Sequence, residues 1–508
     1  MINIDELAVF CKKKGFIYPS SEIYGGMAGF FDFGPLGVEL KNNIKAAWWK
    51  AHVHDRDDVT GIDGSIITNP KVWVASGHVG SFTDALLECS KCGFKTRADH
   101  FIEDKLHMDT AGLPLKQIDE IVRHHKLKCE KCGSQFRDAE GFNLMFQTNV
   151  GPIAGSVAYL RPETAQVIFA DFRQVTDTSR LKLPFGIAQV GRAFRNEISP
   201  RDFIFRCREF EQMELEYFVR PDQVHKCPYL EEFKAYELMV YSAEMQEKKQ
   251  EARNMSVGEA LHKGIIKTPW HAYWLAFEHA WFAGLGVRPE RLRIRQHLNE
   301  EKSHYALDTW DLEYNFPFGW KEVQGMANRT DFDLKQHIRH SGKDLSLYDE
   351  DSKSKIVPQV VVEPSQGVER AFAVFMLEAY HDDKKRGNIV LKLNPRLAPF
   401  KSAVFPLVAN KPELVKKARE VYSSLKPHFN IYWDQSGSVG RRYARADEIG
   451  VPACITVDFD SLEDDSVTVR SRDTTEQVRV PASILQSVLA DFLSGRELNE
   501  LGKAVKSG

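Results

Sequence analysis

Two short segments of the chain carry paired thiols, Cys89-Ser-Lys-Cys92-Gly93 and Cys129-Glu-Lys-Cys132-Gly133. Each C-x-x-C-G turn aims two sulfurs at one point, and the glycine lets the backbone fold beneath them. Two such turns in one local segment match the spacing of a four-thiolate zinc site. A pair of structural disulfides is the competing reading, disfavoured in a cytoplasmic chain. The other four cysteines, Cys11, Cys207, Cys227 and Cys454, are scattered and read as buried or idle thiols. A second set of residues pairs arginine with carboxylate. Phe194-Arg195-Asn196-Glu197 is followed by Phe210-Glu-Gln-Met-Glu214, and Gly367-Val368-Glu369-Arg370 comes much later. Arginine offers a planar, permanently charged fork that makes bidentate, charge-assisted hydrogen bonds to phosphate or carboxylate oxygens. Taken singly each segment is weak evidence, because R-x-E recurs by chance and a surface ion pair on a strand contributes little. Arg370 is the misfit: at a helix start the macrodipole disfavours a cation.

These residues need elements to hold them. Residues 1–20 read as a short amphipathic helix. Tyr24-Gly-Gly-Met-Ala-Gly29 and Asp32-Phe-Gly-Pro-Leu-Gly37 mark tight turns. Leu40, Ile44, Ala47 and Trp48 recur at helical spacing and predict a helix from about Val38 to Lys50. An alternating run from Gly61 to Thr68 predicts a strand that stops at Asn69-Pro70. Strands are expected at 186–191 and 206–219, flanking the first arginine, and a long, charged, solvated helix from about Tyr229 to Arg253. Further strands are expected at 292–295 and 320–325. Ile356 to Val362 is the clearest buried strand, and it leads through Glu363-Pro-Ser-Gln-Gly367 into a helix from Val368 to His381. Leu393-Asn-Pro-Arg-Leu-Ala-Pro-Phe400 reads as a linker. Beyond it strands (402–407, 430–433, 453–458, a hairpin at 467–480) alternate with helices (412–425, one ending near Gly450, 481–493), an α/β pattern.

The length of 508 residues suggests about three domains at roughly 100–200 residues each. A hydrophobic share of 43% with 27% charged residues fits a folded protein and excludes disordered, collagen-like and coiled-coil chains. With 68 basic against 71 acidic residues the formal net charge is −3, which excludes a polybasic coat for nucleic acid. It leaves room for an enzyme with local basic surfaces. The start of the chain does not read as a secretory signal, and no stretch approaches the roughly 18 apolar residues of a membrane span. The expectation is a cytoplasmic protein without a membrane partner.

In order, the run ending at Pro70, the Arg195–Glu197 and Phe210–Glu214 pair, and Gly367–Arg370 resemble motifs 1, 2 and 3 of class II aminoacyl-tRNA synthetases. The resemblance narrows on several further strings. They are Tyr24-Gly-Gly with Gly34-Pro-Leu-Gly37, Arg161-Pro-Glu-Thr-Ala-Gln166, Phe194-Arg-Asn-Glu-Ile-Ser-Pro200, Arg208-Glu-Phe-Glu-Gln-Met-Glu214, His304-Tyr-Ala with Trp310-Asp, Gly325-Met-Ala-Asn-Arg-Thr-Asp331 and Glu363-Pro-Ser365. Together they resemble the dimeric (alpha2) glycyl-tRNA synthetases, from about residue 20 to 480.

The resemblance implies an α+β fold: an antiparallel-sheet catalytic domain with helices, and a carboxyl-terminal α/β anticodon-binding domain. The implied divisions are 1–79 with motif 1, an insertion at 80–160 with the cysteine turns, 161–392 with motifs 2 and 3 and a helical insertion, and 393–508 for the anticodon. It implies ATP-dependent attachment of glycine to tRNA(Gly) through a glycyl-adenylate, by a homodimer, with Mg2+ accompanying ATP and a structural Zn2+. Arg195, Glu197, Arg329 and Arg370 are the expected catalytic residues, with Arg195 and Arg329 on the α-phosphate and Arg370 on the adenine or γ-phosphate. ATP contacts are expected from Arg195, Asn196, Glu197, Phe205, Arg206, Cys207, Arg208, Glu209, Phe210, Glu322, Val323, Gly367, Val368, Glu369 and Arg370. Phe210 forms one face of an adenine sandwich, and Glu322 is a candidate for magnesium. Val323 stands where the family often has leucine. Glycine contacts are expected from Arg97, Glu163, Phe210, Glu211, Gln212, Met213, Glu214, Glu363, Pro364, Ser365, Gln366 and Gly367.

Those types suit glycine, whose handles are an ammonium and a carboxylate. Glutamates attract the ammonium, a crowded wall rejects any Cβ, and no smaller amino acid exists to require editing. In the carboxyl-terminal unit, Lys416, Lys417, Arg419, Arg441, Arg442 and Arg445 are candidate phosphate contacts, and 434–441 is a polar loop that could reach anticodon bases. The alternatives are a class II synthetase for serine, threonine or proline, and a non-catalytic synthetase-like accessory or RNA-binding protein.

Overall fold

The computed structural model describes residues 2–108, 110, 112–152, 155–302, 306–350 and 352–505. His304-Tyr305, part of one string above, lies outside them. A nine-stranded sheet carries the larger part of the chain. In chain order its strands are β1 (Val59–Ile62), β2 (Phe185–Phe194), β3 (Glu209–Val219), β4 (Glu237–Tyr241), β5 (Arg253–Ser256), β6 (Leu292–Gln296), β7 (Asp308–Phe316), β8 (Gly319–Asn328) and β9 (Gln359–Gly367). In space they run β5-β4-β6-β7-β8-β9-β3-β2-β1. The β1–β2 and β4–β6 pairs are parallel and the other pairs antiparallel.

One face of this sheet is covered by three helices, Pro35–Trp49, Pro269–Gly284 and Val368–Ala379. They bury Leu40, Ile44, Trp48, Trp274 and Phe372 against Met213, Leu215 and Tyr217 of β3. The helix Pro269–Gly284 starts with a Thr268 side-chain cap and Pro269 in its first turn, both favourable there. On the other face, helices Ala165–Ser179 and Phe332–Ser341 cover one end of the central strands through Phe169, Phe172, Leu334 and Phe218. The rest of that face stays open. Strand side chains alternate between faces, so Phe210, Gln212, Glu214 and Glu216 share the open face while Met213, Leu215 and Tyr217 enter the core.

The helix expected from Tyr229 to Arg253 is not formed. That stretch holds a single helical turn (Leu230–Phe233), strand β4, a short helix Ala243–Glu247 and strand β5. Leu238 and Val240 alternate with more exposed neighbours and pair into the sheet, so period-two burial outweighs helix propensity there. The strand expected from Gly61 to Thr68 is shorter. Beyond β1 only Ile67 pairs, in a single bridge to Leu160, and Asn69 instead caps a helix, Pro70–Ala75, whose first residue is the proline.

The cysteine turns sit beside a three-stranded sheet of Thr83–Glu88, Lys95–Arg97 and Glu140–Asn143. Helices Ala98–Leu106 and Leu115–His124 pack on it through Leu87, Phe101, Ile102, Ile118 and Val122. The carboxyl-terminal part holds a six-stranded mixed sheet, parallel across Ile431–Trp433, Ser402–Pro406 and Ala453–Val457, then antiparallel through Ser466–Ser471, Gln477–Pro481 and Lys503–Ala504. Arg472, buried, ties it to the preceding segment by donating to the Leu393 carbonyl at 2.8 Å.

Candidate active site

The open face is bounded by the β2–β3 hairpin, its connecting loop, the end of β9 and the start of the helix Val368–Ala379. Arg195 follows the last residue of β2, and its backbone N–H donates to Arg208 O at 2.9 Å, closing the loop. Its Nε donates to Pro162 O at 3.1 Å, and the guanidinium lies 5.3 and 5.6 Å from the ring centres of Phe210 and Phe82. Arg370, in the first helical turn, donates to Phe205 O and Glu322 O and pairs with the Glu322 carboxylate at 3.2 Å. Its guanidinium stands 4.5 Å over the Phe205 ring. The cleft between the two arginines encloses about 650 Å³, part of it open to solvent. An added Cβ at Gly367 would meet nothing nearer than the Arg370 stem at 3.7 Å. The protein's own packing does not demand glycine there, and the space is available to a ligand.

Beside the cleft lies a pocket of acids. Glu214 accepts from the Thr164 N–H at 3.0 Å and from the Thr164 hydroxyl. Glu163 accepts from the Gln166 amide at 3.0 Å, and His78 Nε2 stands 3.3 Å from its other oxygen. Glu363 accepts from Arg329 Nη1 at 2.9 Å to both oxygens. Gln212 donates to the Ser365 hydroxyl at 3.1 Å, and both residues also line the cleft, so cleft and pocket share a wall. Burial opposes ionisation of Glu163, but His78 and Arg329 outweigh it and hold its carboxyl well below the usual range. Burial raises Glu363, and Glu214 and Glu163 raise it further against the pull of Arg329. Glu214 is raised by burial and by Glu163. A pocket with this imbalance favours a cation.

A family model described as the tRNA synthetase class II core domain (G, H, P, S and T) matches residues 154–379, and one for the anticodon binding domain matches residues 401–491. A glycine–tRNA ligase of Geobacillus thermodenitrificans (strain NG80-2) is 44% identical over 498 residues, 96% of this chain and 97% of its own. Another, of Caldanaerobacter subterraneus subsp. tengcongensis, is 44% identical over 502 residues, 97% of this chain and 99% of its own. The chain belongs to the glycine–tRNA ligase family. The prolyl-tRNA synthetase from Cryptosporidium parvum complexed with halofuginone and AMPPNP shares the fold, with a TM-score of 0.57 at 15% identity over 98% of this chain and 78% of that one. The fold is therefore that of a class II synthetase core followed by an anticodon-binding domain.

Within this glycine–tRNA ligase family member, strand alternation sorts the expected contacts. Phe210, Gln212, Ser365 and Gly367 line the cleft, as do Arg195, Glu197, Phe205, Arg206, Cys207, Glu322, Glu369 and Arg370. Four expected glycine contacts turn to the opposite face. Met213 is buried in the helix-covered core, and Pro364 and Gln366 pair across the sheet with Met326 and Met213. Glu211 bonds Lys41 and Lys45 of the helix Pro35–Trp49 at 3.2 and 3.0 Å. Val323 and Val368 are core residues as well. Arg208 clasps the glycine-rich loop, donating to Glu197 O at 2.9 Å and Ala28 O at 3.0 Å. Glu209 pairs with Arg192, and the Asn196 backbone N–H donates to Leu144 O at 2.8 Å. Arg97 is held by Asp84 and Asp99, each at 2.7 Å.

Arg329 departs furthest from its expected place. It does not face the cleft. It is 2% exposed and bonds Asp333 through two nitrogens at 2.7 and 2.8 Å as well as Glu363. Its fork is thus committed to organising the acids, and a phosphate contact would require breaking those bonds. In the carboxyl-terminal domain, Arg442 is likewise buried, donating to Pro406 O, Leu407 O and Gly437 O, so it braces the fold instead of facing a phosphate. Sequence reasoning missed His78, Thr164 and Asp333 as partners of the acids. Asp333 stands in the first turn of the helix Phe332–Ser341, and Arg329, ahead of that helix, folds back onto it. It also missed Lys41, which links the helix Pro35–Trp49 to Glu369 at 2.7 Å.

The four cysteine sulfurs lie within 4.8 Å of one another. Cys89 and Cys132 are 3.4 Å apart, Cys92 and Cys129 3.6 Å. A tetrahedron with metal–sulfur bonds of about 2.3 Å has edges near 3.8 Å, so the set fits zinc. No disulfide is formed among them. The two turns are equivalent: Gly93 and Gly133 sit at φ +66° and +70° and donate back to Cys89 O and Cys129 O. A side chain would strain both positions.

Proposed function

We propose that this chain attaches glycine to tRNA(Gly) in two steps at the face described above. The glycine carboxylate attacks the α-phosphorus of ATP to give glycyl-adenylate and pyrophosphate, and the terminal ribose of the tRNA then takes the glycyl group. The observation that carries the reading is the shared wall of Gln212 and Ser365. It sets a guanidinium-lined cleft beside a pocket of acids, so one small zwitterion spans both. Its ammonium enters among Glu163, Glu214 and Glu363, and its carboxylate points at the cleft. Arg195 stabilises the charge that builds on the α-phosphate, Arg370 with Phe205 and Phe210 holds the base or terminal phosphate, and Arg97 supports the substrate from the cysteine-bearing segment. No protein base is needed, because the attacking carboxylate is already ionised. Glu322, 44% exposed at the cleft, would hold magnesium, which neutralises phosphate charge when bound. The four thiolates hold a zinc ion that fixes their segment. The chain works as a homodimer: Ile23 and Tyr24 are 88% and 87% exposed, and Met27, Val38, Ile67 and Val74 are exposed too, an apolar set around the motif-1 region that suits a partner. No helix among the described residues is long and apolar enough to cross a membrane, in keeping with work in the cytoplasm.

ATP–pyrophosphate exchange with single amino acids tests this. Glycine is expected to support exchange at least 100-fold better than alanine, serine, threonine or proline. Equal or better exchange with any of these would reject glycine as the substrate, and none with any would favour the accessory role.

A further inference from the structure

Beneath the acidic pocket lies one more carboxyl. Glu216 follows Glu214 by two residues on β3 and shares its face. It is fully buried, and neither of its oxygens has a hydrogen-bond partner among the described residues. One of them lies within 4.8 Å of oxygens of Glu214 and Glu363. Gln189 of β2, paired across from Glu214, is also fully buried with both amide atoms unpartnered. The site thus holds buried polar atoms that no group among the described residues satisfies, which calls for a partner from outside the chain.

The groups facing Glu216 from the surrounding elements are Glu363 on β9, Arg329 after β8, Glu214 on β3 and Asp333 on the helix Phe332–Ser341. Around them stand Glu163, His78 and His337. Five acids stand there against the Arg329 guanidinium, while Arg161, buried and bonded to the carbonyls of Arg192 and Gly64, acts on Glu214 from the β2 side. Arg329 is committed to Asp333 and Glu363, and Glu214 is served by Thr164. Burial pulls His337 below the usual imidazole range, so it adds no charge. Glu216 alone among the five has no donor. An ionised carboxylate in that position is so unfavourable that the group keeps its proton. Burial and then Glu363 raise its carboxyl well above the usual range.

We propose that Glu216 is a fourth carboxyl of the amino-acid pocket, a positioning residue that is a neutral acid in the empty site and ionises when the glycine ammonium binds. The inference rests on glycine being the substrate. The O–H bond of Glu216 breaks and the proton passes to solvent, while the ammonium supplies the positive charge that makes the new carboxylate tolerable. Glycine itself stays zwitterionic near neutral pH and contributes no proton. Binding is then an exchange of a proton for an ammonium, and a neutral ligand of the same size gains nothing from it.

Calorimetry of glycine binding at pH 7, in phosphate and in Tris, reads the proton directly from the buffer dependence of the heat. The expected result is close to one proton released per glycine in the wild-type chain and close to none in Glu216→Gln. In ATP–pyrophosphate exchange, Glu216→Gln is expected to raise the glycine KM about tenfold, the scale of a hydrogen bond to a charged group. The kcat should stay within about a factor of two, and the pH dependence of KM should flatten. Glycine binding with no buffer dependence in the wild type overturns the proposal, even if the variant does not fold. Equal release in a folded Glu216→Gln overturns it too, placing the proton on Glu214 or Glu363. Absence of any glycine binding would instead overturn the substrate assignment, and the proposal with it.

Discussion

Replacing Arg329 by methionine keeps an unbranched apolar stem and removes the guanidinium that binds Asp333 and Glu363. In the intact chain it makes two bonds to Asp333 and one nitrogen's bonds to both oxygens of Glu363, at 2% exposure. Deleting one partner of a buried pair costs about 3–5 kcal/mol, because the other charge is left uncompensated. The loss must depend on pH. Burial already raises Glu363 with Arg329 in place, and without the guanidinium it rises further. A carboxyl whose folded-state pKa exceeds its unfolded value contributes stability fully below the unfolded pKa and loses it as pH rises through the folded one. Each extra proton held by the folded state is worth about 1.4 kcal/mol per pH unit. Arg329→Met is therefore expected to be about 3–5 kcal/mol less stable than wild type at pH 8 and to recover part of that deficit at pH 6. The urea midpoint followed by tryptophan fluorescence reads the relevant body, since all nine tryptophans except Trp433 precede the carboxyl-terminal sheet. Wild-type stability at pH 8, or a deficit that does not shrink by pH 6, would refute the claim that Arg329 is there to balance the acids.

Arg195→Ala is expected to slow glycine-dependent pyrophosphate exchange by about 10²–10³-fold, the usual effect of losing one preorganised donor, with the sedimentation of the wild type. A variant with full exchange activity would remove Arg195 from the reaction. Metal analysis of freshly purified, reduced protein is expected to give about one zinc per chain and little in Cys92→Ser. A variant retaining the wild-type zinc would show that the four thiolates do not form one site.

Much of the fold was legible where the local pattern and the tertiary environment agree. Val360, Val361 and Val362 are covered on both faces of the sheet, so a continuous apolar run marks the strand without ambiguity. The stretch from Tyr229 to Arg253 misled because its charges recur at helix-like intervals, while Leu238 and Val240 carry the two-residue period over too few positions to dominate. The helix Pro269–Gly284 left no amphipathic rhythm for the opposite reason. Trp270, Tyr273, Trp274 and Leu275 are all buried around its circumference, and a helix that is apolar all round has no stripe to detect.

The site shows a different limit. Contiguous strings such as Phe210–Glu214 and Glu363–Gly367 are read along the chain, but a strand presents only every second residue to a ligand. Glu214 and Ser365 face each other across β3 and β9, while Glu211, Met213, Pro364 and Gln366 support the far side. What holds the two faces together explains why the string is nonetheless continuous. Glu211 N–H donates to the Glu369 carboxylate at 2.9 Å, and Lys41 binds Glu369 and Glu211 at once. The residues that turn away thereby fix the start of the helix that carries Arg370. The same logic separates Arg329 from the phosphate role its string suggested. Its neighbour in the string, Asp331, bonds Lys335 and Gln359, whereas Asp333, just beyond the string, and Glu363, 34 residues later, bind the guanidinium. A charge's function in a buried cluster is set by the nearest uncompensated opposite charge, and that is decided by which strands lie side by side, a fact that no spacing along the chain contains.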